Sequence, residues 1–95
     1  MSQVTASRNV VVTNPAGLHL RAAMPIAKLA RQFDAKIEIV RGRERFDAAE
    51  ILQIISVGAD AGMELTLEAT GHDAQRALDA MAELFQNNCG EPVEP

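Results

Sequence analysis

The chain has 95 residues, enough for one domain around one modest core. Nine basic and thirteen acidic side chains give a formal charge of -4, and there is no tryptophan or tyrosine. A non-specific nucleic-acid binder needs a basic surface and stacking rings, so that class is excluded.

Cys89 is the single cysteine, which rules out an intramolecular disulfide and fits a reducing compartment. No apolar stretch approaches membrane-spanning length, and no basic segment followed by an apolar run opens the chain. The expectation is a cytoplasmic protein without membrane contact. It has one domain over residues 8–88 and flexible ends at 1–7 and 89–95.

Residues 9–13, NVVVT, read as a strand because adjacent valines favour extended backbone. Asn14-Pro15 ends it, and Gly17 permits a sharp or close-packed turn. A helix over residues 20–32 follows, with Ala23, Ile26, Ala27, Ala30 and Phe33 at the spacing of one helix face. Lys28 and Arg31 lie on its solvent side, and Leu20 and Met24 project away from the core face. Pro25 is tolerated only in a first helical turn. Either the helix starts near Leu20 and bends at Pro25, or regular geometry begins near Ala22.

Residues 35–40, AKIEIV, alternate as a strand, and residues 44–47 return as the second arm of a hairpin. Arg41, Arg43 and Arg45 read as its solvated tip. A short helix over residues 47–57 is expected, with Asp47 as N-cap and Glu50 closing a capping box three residues on. Ile51, Leu52, Ile54 and Ile55 surround more of that helix than one core face uses. Residues 63–69, MELTLEA, alternate as the last strand. Asp73 then caps a helix over residues 74–87 that buries Ala74, Ala77, Leu78, Met81, Leu84 and Phe85. The tail NCGEPVEP has no period and is expected to be disordered. The order β-α-β-β-α-β-α predicts an α/β open-faced two-layer sandwich, an antiparallel sheet with its helices on one face.

Chemistry concentrates in NPAGLHLRAAMP, residues 14–25, where His19 and Arg21 sit as a loop becomes a helix. The first helical N–H groups lack internal partners and the dipole favours negative charge there, so the position suits an anion. Imidazole titrates near 6.5 and is partly neutral and nucleophilic at physiological pH, so His19 could carry a phosphoryl group. Spacing alone leaves a helix-capping or solvent-exposed histidine as the alternative. A cation such as Arg21 opposes the dipole at this position, a conflict that a phosphoryl group gripped by its fork would remove. His72 lacks any such frame and reads as a surface residue.

The segment AGLHLRAAMPIAKLA resembles the active-site segment of the histidine-containing phosphocarrier (HPr) family of the bacterial phosphotransferase system. Gly17, Leu18, His19, Arg21 and Ala23 match the family's pattern, and Ala22 stands where the family has proline. Ala16 stands where several members have asparagine or serine. The stretch FDAAEILQIISVGADAG resembles the family's regulatory helix, with Glu50 at the position of its regulatory serine.

The resemblance implies four antiparallel strands, three helices and a carrier that is not itself an enzyme. It needs no cofactor beyond the covalent phosphoryl group on Nδ1 of His19. By the same likeness Arg21 holds phosphoryl oxygens, and the backbone of Gly17, Leu20 and Ala22 lines the group. The implied partners are an enzyme I-like donor, an enzyme IIA-like acceptor and a regulatory protein. Leu20, Met24, Ile51, Leu52 and Ile55 would form the docking rim, and a free docking face predicts a monomer. Without a hydroxyl at Glu50 there is no serine switch, and Glu50 either caps its helix or acts as a phosphoserine-like charge. The competing reading is a regulatory binding module with slow or signalling-only transfer.

Overall fold

The structure is a computed structural model and describes residues 4–91. Four strands form one antiparallel sheet in the order β1-β4-β2-β3. They are β1 (Thr5–Val11), β2 (Lys36–Arg41), β3 (Glu44–Asp47) and β4 (Glu64–Thr70). Three helices, α1 (Leu20–Ala30), α2 (Ile51–Ser56) and α3 (Ala74–Gln86), join them in the expected order. The open-faced architecture follows from alternation. Leu65, Leu67 and Ala69 of β4 and Ile37 and Ile39 of β2 are buried, and their neighbours along each strand are not. The helices cover that buried face with Ile26, Ile54, Leu78, Met81 and Phe85.

Several expectations need correction. β1 begins at Thr5 and not at residue 9, with Thr5 opposite Thr70 and Ser7 opposite Glu68. Only Val10 of this edge strand is buried, so most of it carries polar residues and shows no apolar signal. Residues 5–7 are therefore paired strand, while 1–3 and 92–95 of the expected flexible ends lie outside the described residues.

α1 starts at Leu20 and runs without a break through Pro25. α2 starts at Ile51, with Glu50 at its N-cap position and no side-chain cap. The Asp47–Glu50 capping box does not form. Asp47 Oδ1 accepts from the Ala49 N–H at 2.9 Å, and Gln53 Oε1 accepts from the Asp47 N–H at 2.8 Å. Asp73 does not cap α3 with its carboxylate either, because Oδ2 accepts from the Asp34 N–H at 2.9 Å. The hairpin arginines are more than a solvated tip. Arg41 donates to the Val57 carbonyl at the end of α2, and Arg45 pairs with Glu38 and Glu68.

The turn between β1 and α1 is pinned to the segment between α2 and β4. Val12 N–H donates to Met63 C=O at 2.9 Å, Gly62 N–H to Val12 C=O at 2.7 Å, and Leu18 N–H to Ala59 C=O at 3.0 Å. Gly17 makes this approach possible. Its φ is +75°, and a Cβ there would lie 2.3 Å from the Ala59 oxygen. Gly42 also has positive φ, +61°, with nothing within 4 Å of such an atom. Gly17→Ala is expected to cost roughly 2–4 kcal/mol, backbone strain plus overpacking, and Gly42→Ala only about 1 kcal/mol. Denaturant midpoints of the two variants check this, and equal losses would remove the close-approach argument.

Candidate functional site

His19 is the N-cap residue of α1, in extended backbone at φ -86°, ψ -175°. Its Nδ1 accepts a hydrogen bond from the Arg21 N–H at 3.2 Å, so the ring itself caps one of the unpartnered amides. A ring nitrogen that accepts carries no proton, so in the neutral ring the proton is assigned to Nε2. Nε2 lies 3.0 Å from Glu91 Oε1. The pair is largely enclosed, with side-chain exposures of 28% for His19 and 18% for Glu91. No acidic residue occupies the first turn of α1, and Arg21 is exposed there. The near side of the ring therefore faces the positive end of a helix, and the far side faces a carboxylate.

Glu91 reaches His19 because the chain after α3 is anchored. Cys89 is fully buried, in a short 3-10 turn at Asn88–Gly90. The Thr13 hydroxyl donates toward Phe85 C=O at 2.9 Å and Asn88 Oδ1 at 2.7 Å. Asn88, Cys89 and Gly90 have φ of +57°, +54° and +80°, which turns the chain back toward α1. This segment is thus not the disordered tail that its composition predicts. Asn14, the single fully buried polar side chain among the described residues, donates from Nδ2 to Gly17 C=O and, at 3.1 Å, to the same Glu91 Oε1.

Comparison with known proteins agrees with this geometry. Residues 6–87 match the family described as "PTS HPr component phosphorylation site". The phosphocarrier protein NPr of Shewanella violacea is 43% identical over 77 residues, 81% of this chain and 85% of that protein. The phosphocarrier protein HPr of Treponema pallidum is 40% identical over 88% of this chain and 96% of its own length. A crystal structure of HPr from Thermoanaerobacter tengcongensis superposes with a TM-score of 0.82 at 29% identity, covering 98% of this chain and 100% of that one.

The chain belongs to the HPr family of phosphotransferase-system phosphocarriers.

The HPr-like site brings some expected residues together and not others. Leu20 is first in α1, and its N–H has no partner among the described residues. The other two expected backbone donors are already engaged: Gly17 N–H with Asn14 C=O at 3.0 Å, and Ala22 N–H with His19 C=O at 3.1 Å. Leu20, Met24 and Leu52 are 55%, 52% and 78% exposed, while Ile51 and Ile55 are half-buried. Met24, Pro25, Ala27, Lys28, Arg31 and Ile51 line a groove of roughly 460 Å³ between α1 and α2. Glu50 is exposed, 4.0 Å from Arg31 Nη2, and occupies the N-cap position of α2 without a side-chain capping bond.

His72 is exposed just beyond β4, at the opposite end of the sheet from His19. Sequence reasoning missed Asn14 and Glu91. Asn14 read as turn chemistry before proline, and Glu91 lies in a stretch with no periodic signal.

Burial first, and the Glu91 carboxylate second, push the Cys89 thiol up to about 12. In the unfolded chain a thiol loses its proton near pH 8.5. Its folded pKa is raised, so its contribution is complete below about 8.5 and is lost as pH rises toward about 12. Denaturant midpoints should fall between about pH 8 and about pH 10.5 more steeply for wild type than for Cys89→Ala. Parallel pH profiles would contradict the buried-thiol assignment.

Proposed function

We propose that His19 accepts a phosphoryl group on Nδ1 from an enzyme I-like donor and passes it to an enzyme IIA-like acceptor in the cytoplasm. The observation that carries this reading is the Nδ1 lone pair directed at a helix N-terminus that has no acidic residue in its first turn. In the forward step the Nδ1 lone pair forms the N–P bond. The bond from phosphorus to the donor's atom breaks, and that atom keeps the electron pair. The Nε2 proton stays in place, so the ring becomes cationic. The Arg21 N–H, released from Nδ1, and the unpartnered Leu20 N–H are then available to phosphoryl oxygens. The exposed Arg21 guanidinium supplies a bidentate fork.

The donor and acceptor would dock in turn on the exposed apolar residues Leu20 and Met24 of α1 and Leu52 of α2. Lys28 and Arg31 at the α1–α2 groove suit partners with an acidic rim. The carrier would work as a monomer and needs no cofactor of its own, since the transferred group is held covalently. His19→Ala should abolish acid-labile labelling by phosphoenolpyruvate and enzyme I, and His72→Ala should leave it unchanged. Undiminished labelling of the His19 variant would end this reading.

One observation favours a regulatory role as the second reading. Glu50 keeps its carboxylate exposed at the start of α2, beside Arg31 of the docking groove. A fixed charge there would bias partner choice as phosphoserine does, with less charge and fewer acceptor oxygens. Glu50→Ser separates the two. Serine is a good N-cap in extended backbone, so the variant should gain roughly 0.5 kcal/mol. For a constitutive carrier, transfer from the donor should change by less than roughly fivefold, the limit for an exposed ion pair. A larger acceleration, read in single-turnover labelling, would favour the regulatory module.

A further inference from the structure

The Nε2 side of the His19 ring is a built environment that phosphoryl binding at Nδ1 does not by itself require. Glu91 Oε1 lies 3.0 Å from Nε2 and 3.1 Å from Asn14 Nδ2, so a single oxygen accepts from both groups. Asn14 is fully buried and its Nδ2 also donates to Gly17 C=O. Reversing its amide would set the oxygen against two acceptors, so the donor orientation is fixed by its surroundings. Asn14 therefore fixes which Glu91 oxygen meets the ring. The carboxylate is delivered by the left-handed turn at Asn88–Gly90, held down by buried Cys89 and by the Thr13–Asn88 hydrogen bond.

From this arrangement we infer that Glu91, oriented by Asn14, is a positioning residue that holds the proton of His19 on Nε2 and leaves Nδ1 as the phosphoryl acceptor. The inference rests on the phosphocarrier reading and deepens it. Two contacts specify the same tautomer from opposite sides of the ring. The Arg21 N–H requires an unprotonated Nδ1, and the Glu91 carboxylate requires a protonated Nε2. When Nδ1 gives its lone pair to phosphorus and the donor's atom leaves with the pair, positive charge develops on the ring. The carboxylate against Nε2–H then neutralises that charge in a partly enclosed setting, where the interaction is stronger than in water. Glu91 does not compete with the phosphoryl group for the helix N-terminus, because it contacts the nitrogen on the far side from the Arg21 amide.

The test joins a ring-nitrogen spectrum to a rate. In ¹⁵N NMR of the unphosphorylated wild-type protein, His19 should show a protonated Nε2 and an unprotonated Nδ1. Glu91→Ala should bring in the Nδ1–H tautomer and lower phosphoryl acceptance from enzyme I by roughly 10- to 100-fold, the range for losing one hydrogen bond to a charged group. In Glu91→Gln the Asn14 N–H should steer the amide oxygen toward Nε2. That variant should keep the wild-type tautomer and recover part of the rate.

Unchanged ring shifts in Glu91→Ala would overturn the inference. So would a Gln variant as impaired as Ala in both measurements, or faster acceptance after Glu91 is removed. A wild-type protein with the Glu91-dependent ring signature that nevertheless takes no phosphate would refute the phosphocarrier reading and leave the tautomer assignment standing.

Discussion

The close approach of residue 17 to the Ala59 carbonyl is the constraint on which the site depends. The turn after β1 and the turn before β4 share backbone hydrogen bonds on both sides of it, from Val12, Gly62 and Leu18. A side chain at position 17 would push the two turns apart, since its Cβ would overlap the Ala59 oxygen. Leu18 would then lose its amide partner and its buried position. His19 follows directly, and its extended backbone and capping ring are set by where Leu18 ends. Thus His19 is placed by main-chain bonds between two turns.

The chain is net acidic, yet α1 presents basic side chains beside His19. α1 carries Arg21 and Lys28, with Arg31 at its C-cap, and no acidic residue in its first turn. Its dipole and its side chains therefore act in the same sense toward an incoming anion. The carboxylate that reaches the ring, Glu91, is held against the opposite nitrogen, Nε2, away from that helix end. The same carboxylate on the near side would repel phosphate, so the route of the chain after α3 decides its effect.

Legibility in the sequence tracked how each element is stabilised. β2 and β4 bury every second residue, and α1 and α3 bury a stripe, so periodicity found them within a few residues. β1 is an edge strand held by its ladder to β4, and its polar first half gave nothing to count. The capping box failed because the backbone turns at residues 48–50 before the helix begins, which moves Glu50 from the third helical position to the cap. His19 and Arg21 were legible because a helix start and a family motif coincide there. Asn14 and Glu91 were not, because their roles arise from a contact across 77 positions that local patterning does not encode.

The second helix shows how exposed apolar residues and folding are kept separate. Six residues are too few to form a helix unaided, since nucleation alone is unfavourable. α2 exists because Arg41 donates to the Val57 carbonyl at its end, Gln53 reaches back to Asp47 before its start, and Ile54 is fully buried beneath it. None of these supports uses Leu52, whose side chain is 78% exposed. An apolar side chain that exposed gains little from folding, and water would favour a polar one in its place. Leu20 and Met24 face solvent from α1 in the same way. A helix held at both ends and from below can present such residues without depending on them. That separation frees these exposed positions on α1 and α2 from the demands of the sheet's stability.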